Sequence, residues 1–370
     1  MTATRPRPLK RGILVPVPTF FRSDEQQSLD LDTFRKHVRW VAPAAVMGLV
    51  VLGSSGEGVS LTYQEAEQVV RACRDELDKA GLLHTPIIAG ASGQSLVTAL
   101  SAIESVHGAG ADYALVLPSS YYHQHIGEQG AQNYYERLAD RAALPIMIYS
   151  YPGVTAGVDL SAELISALAE HPNIRGIKHT DHDISKIGRT AASCALDKQG
   201  KRFLVYAGAS DYLIGALSVG AHGAISAMAN VAPRTVLACF DLWNARQRDR
   251  ALEVQRILSS AEWELTKGGV PMLKALLEVY KGYGGSPRLP LVSTELEDKT
   301  SVRATFEQLM ELERKCAEPQ DASLSRIRAS SDDDEDSEPD EEQLEESRRR
   351  LGEATKELGA AREALRNAYR

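Results

Sequence analysis

Apolar and polar positions follow one repeating pattern through the first 300 residues or so. A short run rich in Val, Ile and Leu is followed by a small-residue turn, and then by apolar residues three and four positions apart, which is helical spacing. The pattern predicts eight strand–loop–helix units. The predicted strands are residues 13–17, 46–52, 86–89, 113–117, 145–149, 173–178, 203–207 and 223–227.

The same pattern places a helix after each strand. The predicted helices are residues 31–41, 62–80, 96–109, 127–142, 161–170, 184–194, 211–219 and 234–259. Two of them begin with a capping residue, because Thr62 is followed by Glu65 and Ser161 by Glu163. Two further helices, at 262–266 and 270–283, are predicted to pack on the outside.

Unbroken aliphatic strands indicate a parallel sheet that is buried on both faces. Eight such units predict an α/β fold, a (β/α)₈ TIM barrel spanning residues 8–317 with extra C-terminal helices. The competing fold is an open doubly wound sheet, which would need a glycine-rich turn after the first strand. Residues 16–19 read Pro-Val-Pro-Thr instead. In a barrel of this kind, the chemistry lies at the C-terminal ends of the strands.

The composition changes sharply near residue 318. Residues 332–346 contain 11 acidic residues in 15, so 318–340 is predicted to be an acidic disordered linker. Leucines then recur every seven residues from Leu344 to Leu365, which predicts an amphipathic helix at 341–370. This helix is either a solitary solvated helix or one that docks on a partner of unknown identity.

The net charge of −8 lies mostly in this tail, since residues from Glu318 onward carry −7 and the rest of the chain only −1. A near-neutral body without a basic stripe gives no reason to expect nucleic acid as a partner.

The apolar runs are shorter than the roughly 18 residues of a membrane span, so no membrane association is expected. The four cysteines have no metal or redox spacing. We therefore expect a cytoplasmic protein, with the basic, acid-free N-terminus leaving a mitochondrial presequence as the alternative.

Two reactive side chains end neighbouring strands. Lys178 closes the sixth predicted strand, and Tyr149 closes the fifth. Desolvation in a barrel mouth favours the uncharged form of an amine, which can attack a ketone and form a Schiff base. A nearby phenol can pass protons to and from the intermediates. Lys178 could instead extend to water, and Tyr149 could have only a structural role, with its ring packed in the barrel and its hydroxyl facing solvent.

The second strand leads into Gly-Ser-Ser-Gly-Glu at residues 53–57. Two glycines allow a tight turn with exposed backbone amides, and two hydroxyls can bind a small carboxylate or relay a proton. The loop lacks the spacing of a nucleotide-binding motif. Taken alone, it could be a plain turn.

Together these motifs resemble the dihydrodipicolinate synthase and N-acetylneuraminate lyase family of class I aldolases, over residues 11–291. The likeness rests on residues 53–57, on Tyr-Ser-Tyr-Pro at 149–152, on Gly-Ile-Lys at 176–178, and on residues 220–226 followed by Ala-Asn-Val at 229–231. Four matches in order at barrel spacing are more specific than any one of them.

The resemblance implies Lys178 as the Schiff-base lysine and Tyr149 as the general acid and base. It implies relay and carboxylate-binding roles for Ser54 and Ser55, with Gly53 and Ile225 as further substrate-binding residues. Tyr122, of the pair Tyr121-Tyr122, is the choice for a tyrosine contributed to a neighbouring subunit. A homotetramer built as a dimer of dimers follows, with neither a metal nor another cofactor.

Where makers of dihydrodipicolinate have an arginine after the Tyr-x-x-Pro segment, residues 153–157 read Gly-Val-Thr-Ala-Gly. The likeness is closer to 4-hydroxy-2-oxoglutarate aldolases and fungal 2-keto-3-deoxy sugar acid aldolases. The expected reaction converts a 4-hydroxy-2-oxo acid into pyruvate and an aldehyde, for example 4-hydroxy-2-oxoglutarate into pyruvate and glyoxylate, in either direction. Alternatives on the same imine are a sugar acid aldolase and a hydratase or dehydratase.

Two other classes of function stay open. The acids and histidines at 179–183, with His123 and His125, could bind a divalent metal and support an aldolase that needs no imine. A non-catalytic assembly protein could use the helical tail instead.

Overall fold

Eight parallel strands form a closed barrel in the computed structural model of the chain, which describes residues 6–44, 46–194, 203–294 and 300–316. The strands pair in chain order, and the first closes onto the last. They are β1 Gly12–Pro16, β2 Gly48–Val51, β3 Ile87–Gly90, β4 Tyr113–Val116, β5 Ile146–Ser150, β6 Ile174–His179, β7 Leu204–Ala207 and β8 Gly223–Ile225. The predicted TIM barrel is confirmed.

Helices follow the strands as the pattern predicts. They are α1 Leu31–Val41, α2 Tyr63–Lys79, α3 Leu96–Ala109, α4 His123–Arg141, α5 Ala162–Ala169, α6 Ile184–Ser193, α7 Leu213–Ser218, α8 Pro233–Asn244, α9 Arg248–Lys281 and α10 Thr300–Lys315. Thr62 and Glu65 form the expected capping box of α2, and the Ser161 side chain caps α5. The helix α10 packs on α8 and α9.

The predicted boundaries beyond β8 were wrong in two ways. The helix expected at 234–259 is divided between α8 and α9, where Arg246 has the left-handed φ of 61°. The helix expected at 262–266 is the last part of a stretch that begins at Arg248, whereas the break expected before residue 270 is present, because Gly269 is non-helical with φ of 59° and ψ of −145°. Pro271 lies two residues after this break, in the first turn of the next helical stretch, where its missing N–H costs no helical hydrogen bond. In α4, Gly127 is non-helical with φ of 60° and ψ of −178°, so the helix expected from residue 127 corresponds to the part of α4 that follows this break.

The barrel interior is filled by apolar side chains from successive strands, as the aliphatic strand pattern requires. Its buried cluster includes Leu14, Val50, Leu115 and Met147. Tyr206 in β7 is fully buried there and donates a hydrogen bond to the Lys10 carbonyl, 2.7 Å away. Since Lys10 precedes β1, this tyrosine closes the N-terminal end and leaves the opposite mouth for chemistry.

The predicted linker at 318–340 and the predicted helix at 341–370 lie outside the described residues, as does the boundary at 317. Within the described part, none of the helices combines the length and apolar character needed to cross a membrane.

Candidate active site

Lys178 and Tyr149 meet at the C-terminal mouth of the barrel. The Lys178 amine donates a hydrogen bond to the Tyr149 hydroxyl at 3.2 Å, and its nitrogen lies 4.4 Å from the centre of the tyrosine ring. Lys178 is only 5% exposed and Tyr149 only 3%. The amine is therefore withdrawn from bulk water and faces the phenol, as the sequence predicted.

A local irregularity in the pairing of β5 and β6 creates this contact. Ile146 lies opposite Ile174, but Met147 lies opposite Gly176, so Arg175 is passed over. The shift brings Tyr149 opposite Lys178, and paired residues of parallel strands project to the same face. Without that extra residue, Tyr149 would lie opposite Ile177, and the lysine and tyrosine side chains would project to opposite faces of the sheet.

A glycine makes room for the irregular strand. A side-chain carbon at Gly176 would lie 2.5 Å from the Leu204 carbonyl oxygen of β7, which is closer than atoms can approach. Glycine therefore allows β6 to pack against β7 directly below Lys178.

The loop after β2 brings a hydroxyl to the same phenol. Ser54 Oγ lies 3.3 Å from the Tyr149 hydroxyl, while its half-buried neighbour Ser55 is one position further along the loop. The left-handed backbone falls on Leu52, with φ of 60°, and on Glu57, with φ of 50°, rather than on either glycine. Such values are strained for these residue types and mark a loop whose surroundings hold it in place.

Glu57 anchors this loop from below through a buried ion pair. Its Oε1 lies 2.6 Å from Lys274 Nζ of α9, and the two residues are 2% and 0% exposed. The other carboxylate oxygen accepts the Arg288 backbone N–H at 2.8 Å, and Lys274 also donates to the Ser286 carbonyl at 3.1 Å. Burial lowers the pKa of Lys274, and the charge of Glu57 opposes that shift. The loop is thereby tied to α9 and to the segment behind it.

A second polar cluster supports β5 and β6 near Lys178. The Asp181 carboxylate accepts from Ser150 Oγ at 2.8 Å and from His179 Nδ1 at 2.9 Å, and it lies 3.3 Å from Lys186 Nζ. Lys186 also pairs with Asp159. Burial by itself would raise the pKa of Asp181, but these hydrogen bonds and the Lys186 charge outweigh it and lower the pKa.

We predict that Asp181→Asn lowers the free energy of unfolding by about 1–3 kcal/mol at pH 7, because His179, Ser150 and Lys186 lose a charged acceptor. A lowered carboxyl pKa means that the contribution is complete above the unfolded value of 3.8 and is lost as the pH falls below it. Urea unfolding at pH 7 and pH 3 should therefore show a smaller difference from wild type at pH 3. The control is Asp140→Asn, which alters an exposed pair with His171; an equal loss there would contradict the prediction.

The remaining predicted residues lie in two places. Ile225, the last residue of β8, is fully buried in the barrel interior. Tyr121 and Tyr122 stack edge to face at the start of α4, and Tyr122 is 64% exposed. Tyr122 therefore lies on the surface of this chain. Its predicted role in a neighbouring subunit stays a prediction.

A cavity of about 370 Å³ lies between α4 and the segment that follows β5. Its walls include the side chains of Glu128, Asp159 and His123, and they contain hydroxyls from Ser119, Tyr134 and Ser161. None of the residues lining this cavity is a lysine or an arginine. Most of its exposed lining is apolar, Asp159 is paired with Lys186, and Glu128 accepts a hydrogen bond from Ser161.

The predicted metal-ligand candidates do not converge on one point. His179 and Asp181 are in contact, but among the described residues no three His, Cys, Asp or Glu side chains form a group that could hold a metal ion. His123 instead lines the cavity beside α4.

The sequence interpretation missed the roles of Lys274 and of Glu262, a buried acid on the same helix α9. The sequence contained a signal for both residues, because each is a charged residue on the apolar face of a helix. Lys274 lies between Leu273 and Leu277, and Glu262 is in phase with buried apolar residues of the same helix. A charge on the apolar stripe of a helix needs a buried partner.

Comparison with known proteins matches residues 9–309 to the dihydrodipicolinate synthetase family. An Emericella nidulans protein named as a mitochondrial 4-hydroxy-2-oxoglutarate aldolase is 36% identical over 308 residues, covering 83% of this chain and 97% of that protein. An L-threo-3-deoxy-hexylosonate aldolase of Aspergillus niger is 34% identical over 326 residues, again covering 83% and 97%. The solved structure of Escherichia coli YagE, in complex with pyruvate, matches with a TM-score of 0.72 at 26% identity, covering 82% of this chain and 99% of that one.

Proposed function

This chain belongs to the dihydrodipicolinate synthetase family and is an aldolase, and from that premise we propose that it cleaves a 4-hydroxy-2-oxo acid into pyruvate and an aldehyde through a Schiff base on Lys178. The observation that carries the proposal is the buried 3.2 Å contact between the Lys178 amine and the Tyr149 hydroxyl. The pyruvate bound in the structure of a relative is consistent with such a site.

The proposed reaction begins when the Lys178 nitrogen attacks the C2 carbonyl carbon and water leaves, giving a protonated imine. Tyr149 then accepts the proton of the C4 hydroxyl, and the electrons of the C3–C4 bond move into the imine. The aldehyde departs and leaves an enamine. Protonation at C3 and hydrolysis by water release pyruvate and restore the amine. In the reverse direction, the same steps form the carbon–carbon bond.

Ser54 and Tyr149 supply the proton path in this scheme. The Ser54 hydroxyl, 3.3 Å from the phenol, orients it and can relay its proton to solvent. Ser55 and the amides of the same loop, including that of Gly53, are proposed to bind the carboxylate, and Ile225 to contact the pyruvate end. Neither a metal nor another cofactor enters these steps.

We predict that Tyr149→Phe lowers kcat about 10²- to 10⁴-fold, because positioned acid–base groups contribute that much to rate. The variant keeps Lys178 and should still form an imine with pyruvate. Steady-state kinetics and borohydride trapping measure the two effects separately. The matched control is Tyr212→Phe, a half-buried tyrosine whose hydroxyl donates to the His179 carbonyl instead. Equal losses of kcat in both variants would contradict the proton-transfer role.

Two aldehyde partners suit this site. Glyoxylate, the aldehyde released from 4-hydroxy-2-oxoglutarate, is suggested by the name of the Emericella nidulans relative. A neutral polyhydroxylated aldehyde, from a 3-deoxy sugar acid, is the partner suggested by the second relative.

A pyruvate-release assay over a panel of 4-hydroxy-2-oxo acids and 3-deoxy sugar acids tests the function. Release from at least one substrate, lost in Lys178→Ala, supports the proposal. Turnover that requires a chelatable metal would replace the imine with metal chemistry. Absence of pyruvate from every substrate, with pyruvate still trapped on the lysine, would shift the function to a hydratase or dehydratase.

Assembly and compartment are part of the proposal. We propose a homotetramer in which the exposed Tyr122 enters a neighbouring subunit, and sedimentation at micromolar concentration tests it. The name of the Emericella nidulans relative favours the mitochondrial alternative over the cytoplasm. Imaging of the full chain, with and without residues 1–11, distinguishes the two compartments.

A further inference from the structure

One face of α9 carries three polar residues toward the segment that follows β7. Gln255, Ser259 and Glu262 are four and three positions apart, so they lie on one side of the helix. Gln255 Nε2 donates to the Ser210 carbonyl at 2.8 Å and to the Asp211 carbonyl at 2.9 Å. Ser259 Oγ donates to the same Asp211 carbonyl at 2.6 Å. The helix thus holds the backbone of residues 210 and 211.

Glu262 extends this hold to the next strand. Its carboxyl group accepts hydrogen bonds from the backbone N–H and the hydroxyl of Ser210, and from Ser226 Oγ at 3.3 Å. Ser226 directly follows Ile225, the end of β8, and all three hydrogen-bonding residues are at most 2% exposed. A single side chain therefore links the ends of β7 and β8 at the barrel mouth.

The surroundings of Glu262 oppose its charge. Burial raises its pKa to about 7, with a further contribution from Asp211, and the bonds from Ser210 and Ser226 act against this rise. Burial also raises the pKa of Asp211, and the charge of His182 opposes that rise. Within the described structure, Asp211 Oδ1 has no hydrogen-bond partner. Beyond them, burial raises the pKa of Tyr212, and Asp211, Asp181 and Glu262 add to that rise.

We propose that Glu262 is a positioning residue of the aldolase site: its carboxyl group fixes the end of β8 against the end of β7, and its charge sets the orientation of the Ser226 hydroxyl. The proposal rests on the proposed function, because the segment it fixes begins at Ile225, beside the expected pyruvate position.

Protonation changes this link in a defined way. The ionised carboxylate accepts from all three donors. A protonated carboxyl group must donate one hydrogen bond. Oε2 faces the Ser210 backbone N–H, which cannot reverse its role, so the proton belongs on Oε1, where the Ser226 hydroxyl can rotate to accept it. The position of Ser226 is then held differently below and above neutral pH.

Glu262→Gln tests the proposal, because glutamine accepts from Ser210 and donates to Ser226, as the protonated acid would. We expect wild-type kcat/KM to show an inflection near pH 7 that the variant lacks, with similar values at pH 6. At pH 8 the variant should be about 10-fold lower, mainly through KM. Infrared difference spectra between pH 6 and pH 8 should show a protonated carboxyl band in wild type and none in the variant.

Thermal unfolding gives a second readout. A raised pKa means that folding favours the protonated form, so this contribution to stability is lost as the pH rises from 4.5 through about 7. Relative to Glu262→Gln, wild type should therefore lose Tm between pH 6 and pH 8. The matched control is Glu313→Gln, another buried glutamate that accepts from a backbone N–H and a hydroxyl, those of Thr235, but between α8 and α10. It should leave the kinetic pH profile unchanged.

An unchanged inflection in Glu262→Gln, or the same change in Glu313→Gln, would overturn the proposal. If Glu262→Gln does not fold, Ser226→Ala removes one donor and should shift the inflection, and an unshifted one counts equally against the idea. The infrared band does not depend on turnover. Wild type that shows the band but releases no pyruvate refutes the proposed function and leaves the titration of Glu262 intact.

Discussion

Lys178→Ala is expected to abolish pyruvate release, with kcat/KM at least about 10³-fold below wild type, since loss of a covalent nucleophile removes the whole imine route. The residue is buried, and alanine leaves no group that can attack a ketone. In wild type, borohydride added with pyruvate should attach a pyruvate-derived group to Lys178, because the reductant traps the imine as a stable amine. Mass spectrometry of peptides after digestion locates the adduct.

The control is Lys267→Ala, which removes a half-exposed lysine of α9 that pairs with Glu264. It should retain both turnover and the Lys178 adduct. An adduct at another lysine, or full activity in Lys178→Ala, would refute the Schiff-base mechanism and leave the fold and family unaffected. Near-ultraviolet circular dichroism establishes that the alanine variant is folded.

Lys274→Met is expected to lower the free energy of unfolding by about 3–5 kcal/mol, the loss typical when one partner of a buried ion pair is removed. Glu57 would remain 2% exposed without its cation. Since Glu57 ends the loop that carries Ser54, the variant should also lower kcat by loosening the contact with Tyr149. Urea unfolding and steady-state kinetics measure the two losses.

The double variant Glu57→Gln with Lys274→Met tests the physical cause. Removing the orphaned charge should restore at least about 1 kcal/mol, because desolvation of the unpaired carboxylate accounts for much of the loss. Lys267→Met, at the exposed pair with Glu264, should cost at most about 1 kcal/mol. A double variant no more stable than Lys274→Met would show that packing of the lysine stem, rather than charge, stabilises the loop.

Much of the fold could be read from the sequence because burial imposes a period. Strands buried on both faces must be continuously aliphatic, and the helices that cover them must repeat apolar residues at three and four. Strand ends and helix caps were therefore placed within a few residues. Boundaries failed between residues 244 and 262, where α8 ends at Asn244 and α9 begins at Arg248 and runs past the expected limit at 259.

For the candidate site, the sequence by itself determined which reactive residues are present and which strands carry them. Lys178 is on β6, Tyr149 is on β5, and the loop with two serine hydroxyls follows β2. The tertiary structure alone decided that the first two share a face, because the register shift at Arg175 is a property of two strands together. It also decided that Lys274 neutralises Glu57 and that Glu262 joins two strand ends. The local pattern of apolar and polar residues indicates which side chains are buried. It does not indicate which residues distant in sequence contact them, because those contacts form only when the barrel closes.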